Sequence, residues 1–184
     1  MDLEAPLRRE LIAALEPAFL CFEEVEIEHP ILSGLSVRAD VVAVPVDRQF
    51  WAHALAFEVK CYDDSADYAK WSAAIRQASD YVLGKVRSPD AVLAGRRISA
   101  SLLYRAPRWL PYVPSQNVPA NVSDLIMISG AFHCALHMRV GRATHSQKDG
   151  LSLSFGPNDF LDAAKRLHCS SAEPSGQQET HRIA

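Results

Sequence analysis

The sequence predicts an α/β domain with a mixed central sheet, and three observations carry that prediction. Apolar residues recur at helical spacing over residues 3–19 and 65–85. Between and after these segments, short stretches alternate apolar and polar residues with the period of a strand. The order strand, helix, strand over residues 54–104 calls for a parallel crossover, right-handed by rule, beside strands short enough to pair antiparallel.

The first helix is read from Leu3, Leu7, Leu11, Ala14, Leu15, Ala18 and Phe19, which form one stripe. Glu10 lies on the flank of that stripe and can face inward, Glu4 also falls near it, and Glu16 points the other way. Residues 22–28 alternate, with Val25 and Ile27 opposite Glu24, Glu26 and Glu28, and Pro30 closes the run, so an edge strand is expected. Over 35–44, Leu35, Val37, Ala39, Val41 and Ala43 are expected on one face, with Arg38, Asp40, Val42 and Val44 on the other. Residues 54–60 alternate again, and Glu58 and Lys60 leave one face together.

Trp71, Ile75, Ala78 and Val82 mark the second helix, with Ser65 or Asp67 as N-cap and Gly84 near its end. Asp63, Asp64 and Asp67 suit the positive end of its dipole. Residues 98–104 return to strand. Pro107, Pro111, Pro114 and Pro119 make 105–120 a stiff loop. Residues 125–128, 132–140 and 151–155 read as further strands, and 158–167 as a short last helix. From Cys169 onward the composition is too poor in apolar residues to pack, so 1–168 is expected to be one domain and 169–184 a flexible tail.

A length of 184 residues suits one domain with a sizeable core. With 48% apolar and 22% charged residues, collagenous, coiled-coil and wholly disordered classes are excluded. The formal charge of −3 gives no bulk attraction to polyanions, so any such partner must meet a local patch. Cys21, Cys61, Cys134 and Cys169 are widely spaced, which suits reduced thiols. No run of eighteen apolar residues exists and the N-terminus lacks signal-peptide order, so a cytoplasmic protein without membrane contact is expected.

The residues expected to carry chemistry are Glu10 on the inward flank of the first helix, Asp40 in the second strand, and Glu58 with Lys60 at the end of the third. The period of two places the Glu58 carboxylate and Lys60 ammonium on one face about 6–7 Å apart, with the Val59 carbonyl between them in sequence. If Asp40 lies across the hairpin on that face, two carboxylates and one backbone oxygen make a hard-oxygen site for Mg²⁺ or Mn²⁺. Such a metal polarises a phosphate ester, while Lys60 orients the attacking water or stabilises the transition state.

Arg38-Ala39-Asp40, the strand Ala56-Phe57-Glu58-Val59-Lys60 and the helix segment Gln77-Ala78-Ser79-Asp80-Tyr81 resemble the PD-(D/E)XK nuclease superfamily, which includes restriction endonucleases, Holliday junction resolvases and phage exonucleases. The resemblance covers about residues 3–104, and Ala39 replaces the proline of the motif. It implies a restriction-endonuclease-like core of helix, three antiparallel strands, helix and strand, with C-terminal strands and a helix added. It implies a Mg²⁺-dependent deoxyribonuclease acting on DNA. By match, Asp40 and Glu58 bind metal with Glu10 as a further ligand, Lys60 assists the nucleophile, and Gln77 and Tyr81 border the site. Many members of the superfamily act as homodimers. A stand-alone nuclease of this size suits phage replication, repair or defence.

Arg105, Arg108, Trp109 and Tyr112 mix cations and aromatics on the proline-rich loop, as suits phosphate contact and base stacking, or else a rigid connection with Trp109 packed inward. Lys85, Arg87, Arg96 and Arg97 form a second basic group, able to track a nucleic-acid backbone or simply solvated. His133 and His137 share a face with Cys134 opposite, so they form no compact zinc set. A catalytically silent nucleic-acid-binding or protein-interaction module on the same fold is the competing reading. A hydrolase of small phosphate esters is a third, and it needs a closed pocket where long DNA needs an open groove.

Overall fold

A computed structural model describes residues 4–50, 52–61, 68–104, 135, 138–146, 150–155 and 167–169. Its elements are α1 (Ala5–Leu15), β1 (Phe19–Glu28), β2 (Ser36–Pro45), β3 (Leu55–Val59), α2 (Tyr68–Leu83), β4 (Lys85–Arg87), β5 (Ala100–Tyr104), β6 (Val140–Ser146), β7 (Gly150–Phe155) and β8 (Leu167–Cys169), with a single 3₁₀ turn at Arg48–Phe50. The strands form one sheet in the order β4-β1-β2-β3-β5-β6-β7-β8. β1, β2 and β3 pair antiparallel in succession, β5 runs parallel to both β3 and β6, and β7 and β8 are antiparallel again. The class is α/β with a mixed open sheet.

Helix α1 starts with Pro6 in its first turn, where a missing N–H costs nothing, and stops at Leu15 ahead of Pro17. It is therefore shorter than its apolar stripe. Leu11 and Leu15, both fully buried, pack on Val41, Ala43, Phe57, Val59, Leu102 and Tyr104, which form one face of the sheet. On the other face α2 sets Trp71, Ala74, Ile75, Ala78 and Val82 against Leu103 and Val140. Covered on both sides, β3 is buried at every position, as a central strand of a mixed sheet should be. Each large apolar side chain enclosed this way contributes about 1.5–3 kcal/mol.

The single face expected for Val37, Ala39, Val41 and Ala43 does not hold. Val41 and Ala43 pack with α1, whereas Val37 and Ala39 join Val42 and Val44 in a third cluster around Tyr81. Strand β1 does the same: Phe19 and Cys21 lie with the first cluster, and Phe22, Val25 and Ile27 with the third. The cause is Glu24, whose φ of 53° is left-handed. Pairing continues on either side of it, Glu23 with Val41 and Val25 with Ala39, so Glu24 stands across from Asp40 where both strands turn over. A non-glycine residue held there costs about 1–3 kcal/mol.

β1 is also not the sheet edge that its alternation suggested, because β4 pairs with Glu26, Ile27 and Glu28. Gly84 is required at this junction: a Cβ there would meet the Glu28 carbonyl oxygen and Ile27 Cγ2 at 2.5 Å. The strand expected over 132–140 begins where it was expected to end. Ala135 is helical, the Met138 N–H returns to the Ala135 carbonyl at 2.8 Å, and Arg139 turns the chain at φ 66° into β6. Leu167, expected at the end of a helix, and Cys169, assigned by composition to the tail, both belong to β8 and pair with Leu153 and Leu151. Residues 125–128, 158–166 and 170–184 lie outside the described residues. No described helix is long and apolar enough to cross a membrane.

Candidate active site

The β2–β3 ladder runs from Ala43 and Leu55 to Val41 and Phe57, and the next residues across are Asp40 and Glu58. There the backbone pairing gives way to a side chain: Asp40 Oδ2 accepts the Val59 N–H at 2.6 Å. Lys60 then folds back over the same end. Its Nζ lies 2.6 Å from Glu58 Oε1, 4.0 Å from Asp40 Oδ2 and 3.6 Å from Glu4 Oε2, and donates to the Val59 carbonyl at 3.1 Å. Asp40, Glu58, Val59 and Lys60 thus converge on one ammonium group.

Glu58 is 1% exposed, and α2 supplies its second support. The Tyr81 hydroxyl lies 2.5 Å from Glu58 Oε2 and 2.7 Å from the Arg38 carbonyl oxygen, and it accepts from Gln77 Nε2 at 2.6 Å. A hydroxyl has one proton to give. With Glu58 ionised it donates to Glu58, and the Arg38 carbonyl is served by Gln77 Nε2 at 3.2 Å. The spacing of four places Gln77 and Tyr81 on one helical stripe, so Gln77 can bond the hydroxyl that reaches the carboxylate.

Burial governs the electrostatics. Desolvation and then the neighbouring Asp40 push Glu58 up to about 7, against the opposing pull of Lys60 and Tyr81. Asp40 is also raised, by burial first, with Glu4 and Glu24 adding to it and the Val59 N–H and Lys60 resisting. Burial lowers Lys60, but Glu58, Asp40 and Glu4 outweigh it and the ammonium is held more strongly than usual. Tyr81 is raised by burial and by Glu58, so it remains a donor. The cluster is therefore short of positive charge.

Among the described residues, no group of three or more His, Cys, Asp or Glu is arranged to hold a metal ion. The donors at this end of β3 are instead two carboxylates and the Val59 carbonyl, hard oxygens that suit Mg²⁺ or Mn²⁺ with water completing the sphere. Glu58 Oε1 is buried without a hydrogen-bond partner. The Lys60 ammonium lies 2.6 Å from it and is the cation that this oxygen now faces. A buried acidic oxygen whose neighbour is already a cation fits a cation of this class.

Glu10 is placed elsewhere. Its Oε1 accepts the Tyr104 hydroxyl at 3.0 Å and lies 2.9 Å from His145 Nδ1, which ties α1 to β5 and β6. The helix acid at the cluster is Glu4. It makes no side-chain cap for its own helix, and its Oε1 accepts the Cys61 N–H at 3.3 Å. The reason is axial: six residues along a helix move a side chain about 9 Å, enough to exchange one strand end for another. Arg105, Arg108, Trp109, Tyr112, His133, Cys134 and His137 lie outside the described residues, as do Ser65 and the aspartates at 63, 64 and 67. Lys85 of β4 and Arg97 are brought together by an isolated antiparallel bridge.

Three residues at this rim carried no sequence signal. Glu24 pairs with Arg8 and, through Oε2, with Arg38 Nε at 2.7 Å. Arg8 Nε also lies 3.1 Å from Glu23. Their charges are ordinary for strand and helix positions, and Glu24, which pairs with both arginines, stands across the ladder from Asp40. Comparison with protein-family models, with curated proteins and with solved structures found no match.

Proposed function

We propose that this protein is a divalent-metal-dependent nuclease that hydrolyses DNA phosphodiester bonds. The observation that carries the reading is the meeting of the Asp40 and Glu58 carboxylates around Lys60 at the end of a buried strand. The element order supports it: a helix, three antiparallel strands, a helix, and a strand parallel to the third agree with the restriction-endonuclease-like core that the motif implies. β4 is an addition at the sheet edge.

Asp40, Glu58 and the Val59 carbonyl would hold Mg²⁺ or Mn²⁺, with Glu4 the nearest further acid. When bound, the ion supplies charge neutralisation at the phosphate and acidifies water. Tyr81 and Gln77 hold Glu58 in place. Lys60 lies beside both carboxylates, where its ammonium would orient the attacking water and offset charge on the phosphoryl oxygens. The Val59 N–H fixes Asp40 so that one of its oxygens remains for the ion.

The test is cleavage of plasmid and of linear, branched, nicked and single-stranded DNA with Mg²⁺ or Mn²⁺, with and without chelator. Chelator-sensitive cleavage that disappears in Asp40→Ala and Lys60→Ala supports the reading. Retained activity in both variants removes the site assignment. Salt-sensitive DNA binding without cleavage supports a silent binding module on the same fold, and hydrolysis confined to small phosphodiesters supports the third reading.

A further inference from the structure

A polynucleotide approaching this rim meets Glu4, Glu23, Glu24 and Asp40 with the buried charge of Glu58 behind them, and a metal ion at the cluster cannot offset all of them. Cations must supply the rest. Among the described residues the rim's carboxylates hold three, and exposure separates them: the Lys60 and Arg8 side chains are each 16% exposed, and that of Arg38 is 68% exposed. Lys60 is enclosed by the acids of the cluster, and Arg8 bridges Glu23 and Glu24. Arg38 has its Nε on Glu24 and the rest of its fork in solvent.

The backbone of Arg38 is fixed while its side chain is not. Its carbonyl accepts from Gln77 Nε2, which also donates to the Tyr81 hydroxyl that holds Glu58, and it lies two residues before Asp40. Glu24 stands across the ladder from Asp40 in a conformation that a non-glycine residue rarely adopts. That conformation places a carboxylate between Arg8 and Arg38. A guanidinium fork matches two phosphate oxygens as well as it matches a carboxylate.

We propose that Arg38 is the side chain that binds the substrate's phosphate backbone at this rim, and that Glu24 parks it until a phosphate takes the carboxylate's place. The inference rests on the nuclease reading and adds a positioning residue to it. Arg38 sets affinity rather than the chemical step, because the contact is made equally in ground and transition states.

The experiment measures binding of a labelled DNA duplex to the full chain by fluorescence anisotropy in Ca²⁺ across a salt series, with cleavage kinetics in Mg²⁺ alongside. Arg38→Ala is expected to weaken binding about tenfold and to lower the slope of log affinity against log salt by about one. KM rises and kcat holds. Glu24→Gln is expected to tighten binding several-fold, and to do so less when Arg38 is already alanine. Circular dichroism melts confirm folding of each variant, and Glu24→Gly, which relieves the backbone, serves if Glu24→Gln folds poorly. An unchanged salt slope in Arg38→Ala, or a Glu24→Gln gain independent of Arg38, overturns this inference while wild-type cleavage leaves the nuclease reading standing. Wild-type protein that neither binds nor cleaves DNA overturns both.

Discussion

Lys60 Nζ lies 2.6 Å from Glu58 Oε1, inside a ring of acids that also includes Asp40 and Glu4. A side-chain ammonium occupies the ground on which a divalent ion would compete. Stability and the proposed metal binding would thereby be opposed, since carboxylates gathered to favour a cation also repel one another without one.

Removing the ammonium should reveal that opposition. Lys60→Ala is expected to abolish cleavage and to lower stability in chelator by a few kcal/mol, because buried carboxylates lose their counter-charge (~3–5 kcal/mol when a buried pair is broken). Added Mg²⁺ should restore part of the melting temperature without restoring cleavage. A melt unaffected by chelator or by the substitution counts against the charge balance described here.

Glu58 sets a pH dependence of stability whose sign is opposite to that of a salt-bridged acid. Its pKa is raised from 4.5 to about 7, so between those values the folded chain binds the extra proton. Stability from this group is full below about pH 4.5 and is lost as pH rises through about 7. The loss is about 3 kcal/mol at most, at roughly 1.4 kcal/mol per pH unit. Glu58→Gln is expected to unfold at a higher temperature than wild type at pH 8 in chelator, with the difference vanishing near pH 4.5. Mg²⁺ affinity should rise with pH through about 7, which calorimetry in two buffers of different ionisation enthalpy detects as proton release.

Tyr81→Phe keeps the ring in its cluster but removes the donor to Glu58 and the group that accepts from Gln77. A stability cost of about 1–3 kcal/mol is expected from the polar groups left unsatisfied. Cleavage should fall with kcat, since Glu58 is then free to rotate. Equal loss in Gln77→Ala would contradict this order, because Gln77 does not contact Glu58 directly.

Glu10 of α1 and Glu4 at its N-cap should separate by phenotype. Glu4→Gln is expected to weaken metal dependence and cleavage, because Glu4 faces Lys60 and the Cys61 N–H. Glu10→Gln is expected to alter the melting temperature by about 1 kcal/mol equivalent through Tyr104 and His145 and to leave the metal requirement unchanged. Metal titrations of cleavage on both variants decide it.

Gly84→Ala is expected to destabilise by several kcal/mol. Its new methyl group meets a backbone carbonyl and Ile27 Cγ2 at 2.5 Å, so α2 and β1 must separate. A thermal melt of the variant measures the shift, and an unchanged melt would show that α2 can slide.

The elements legible from sequence were those with strong periodicity. α1 and α2 follow from apolar stripes, and β2, β3, β5 and β7 from alternating or continuous apolar runs whose burial the sheet confirms. β6 was misplaced because Val140 and Ala143 are its main apolar residues and Gly141 and Thr144 dilute the pattern, while β4 and β8, three residues each, are too short to show a period. The candidate site was legible as residue types at a spacing: Glu58 and Lys60 on one face, Gln77 and Tyr81 one turn apart.

Local spacing determined that a carboxylate and an ammonium would leave β3 together and that an acid would stand in β2, because period two is a property of any extended chain. Which acid of α1 joins them, and that Glu24, Arg8 and Arg38 gather beside Asp40, only the tertiary structure decided. A helix's placement and a single left-handed residue move side chains by several ångströms without altering any pattern along the chain, so the sequence carries no trace of either.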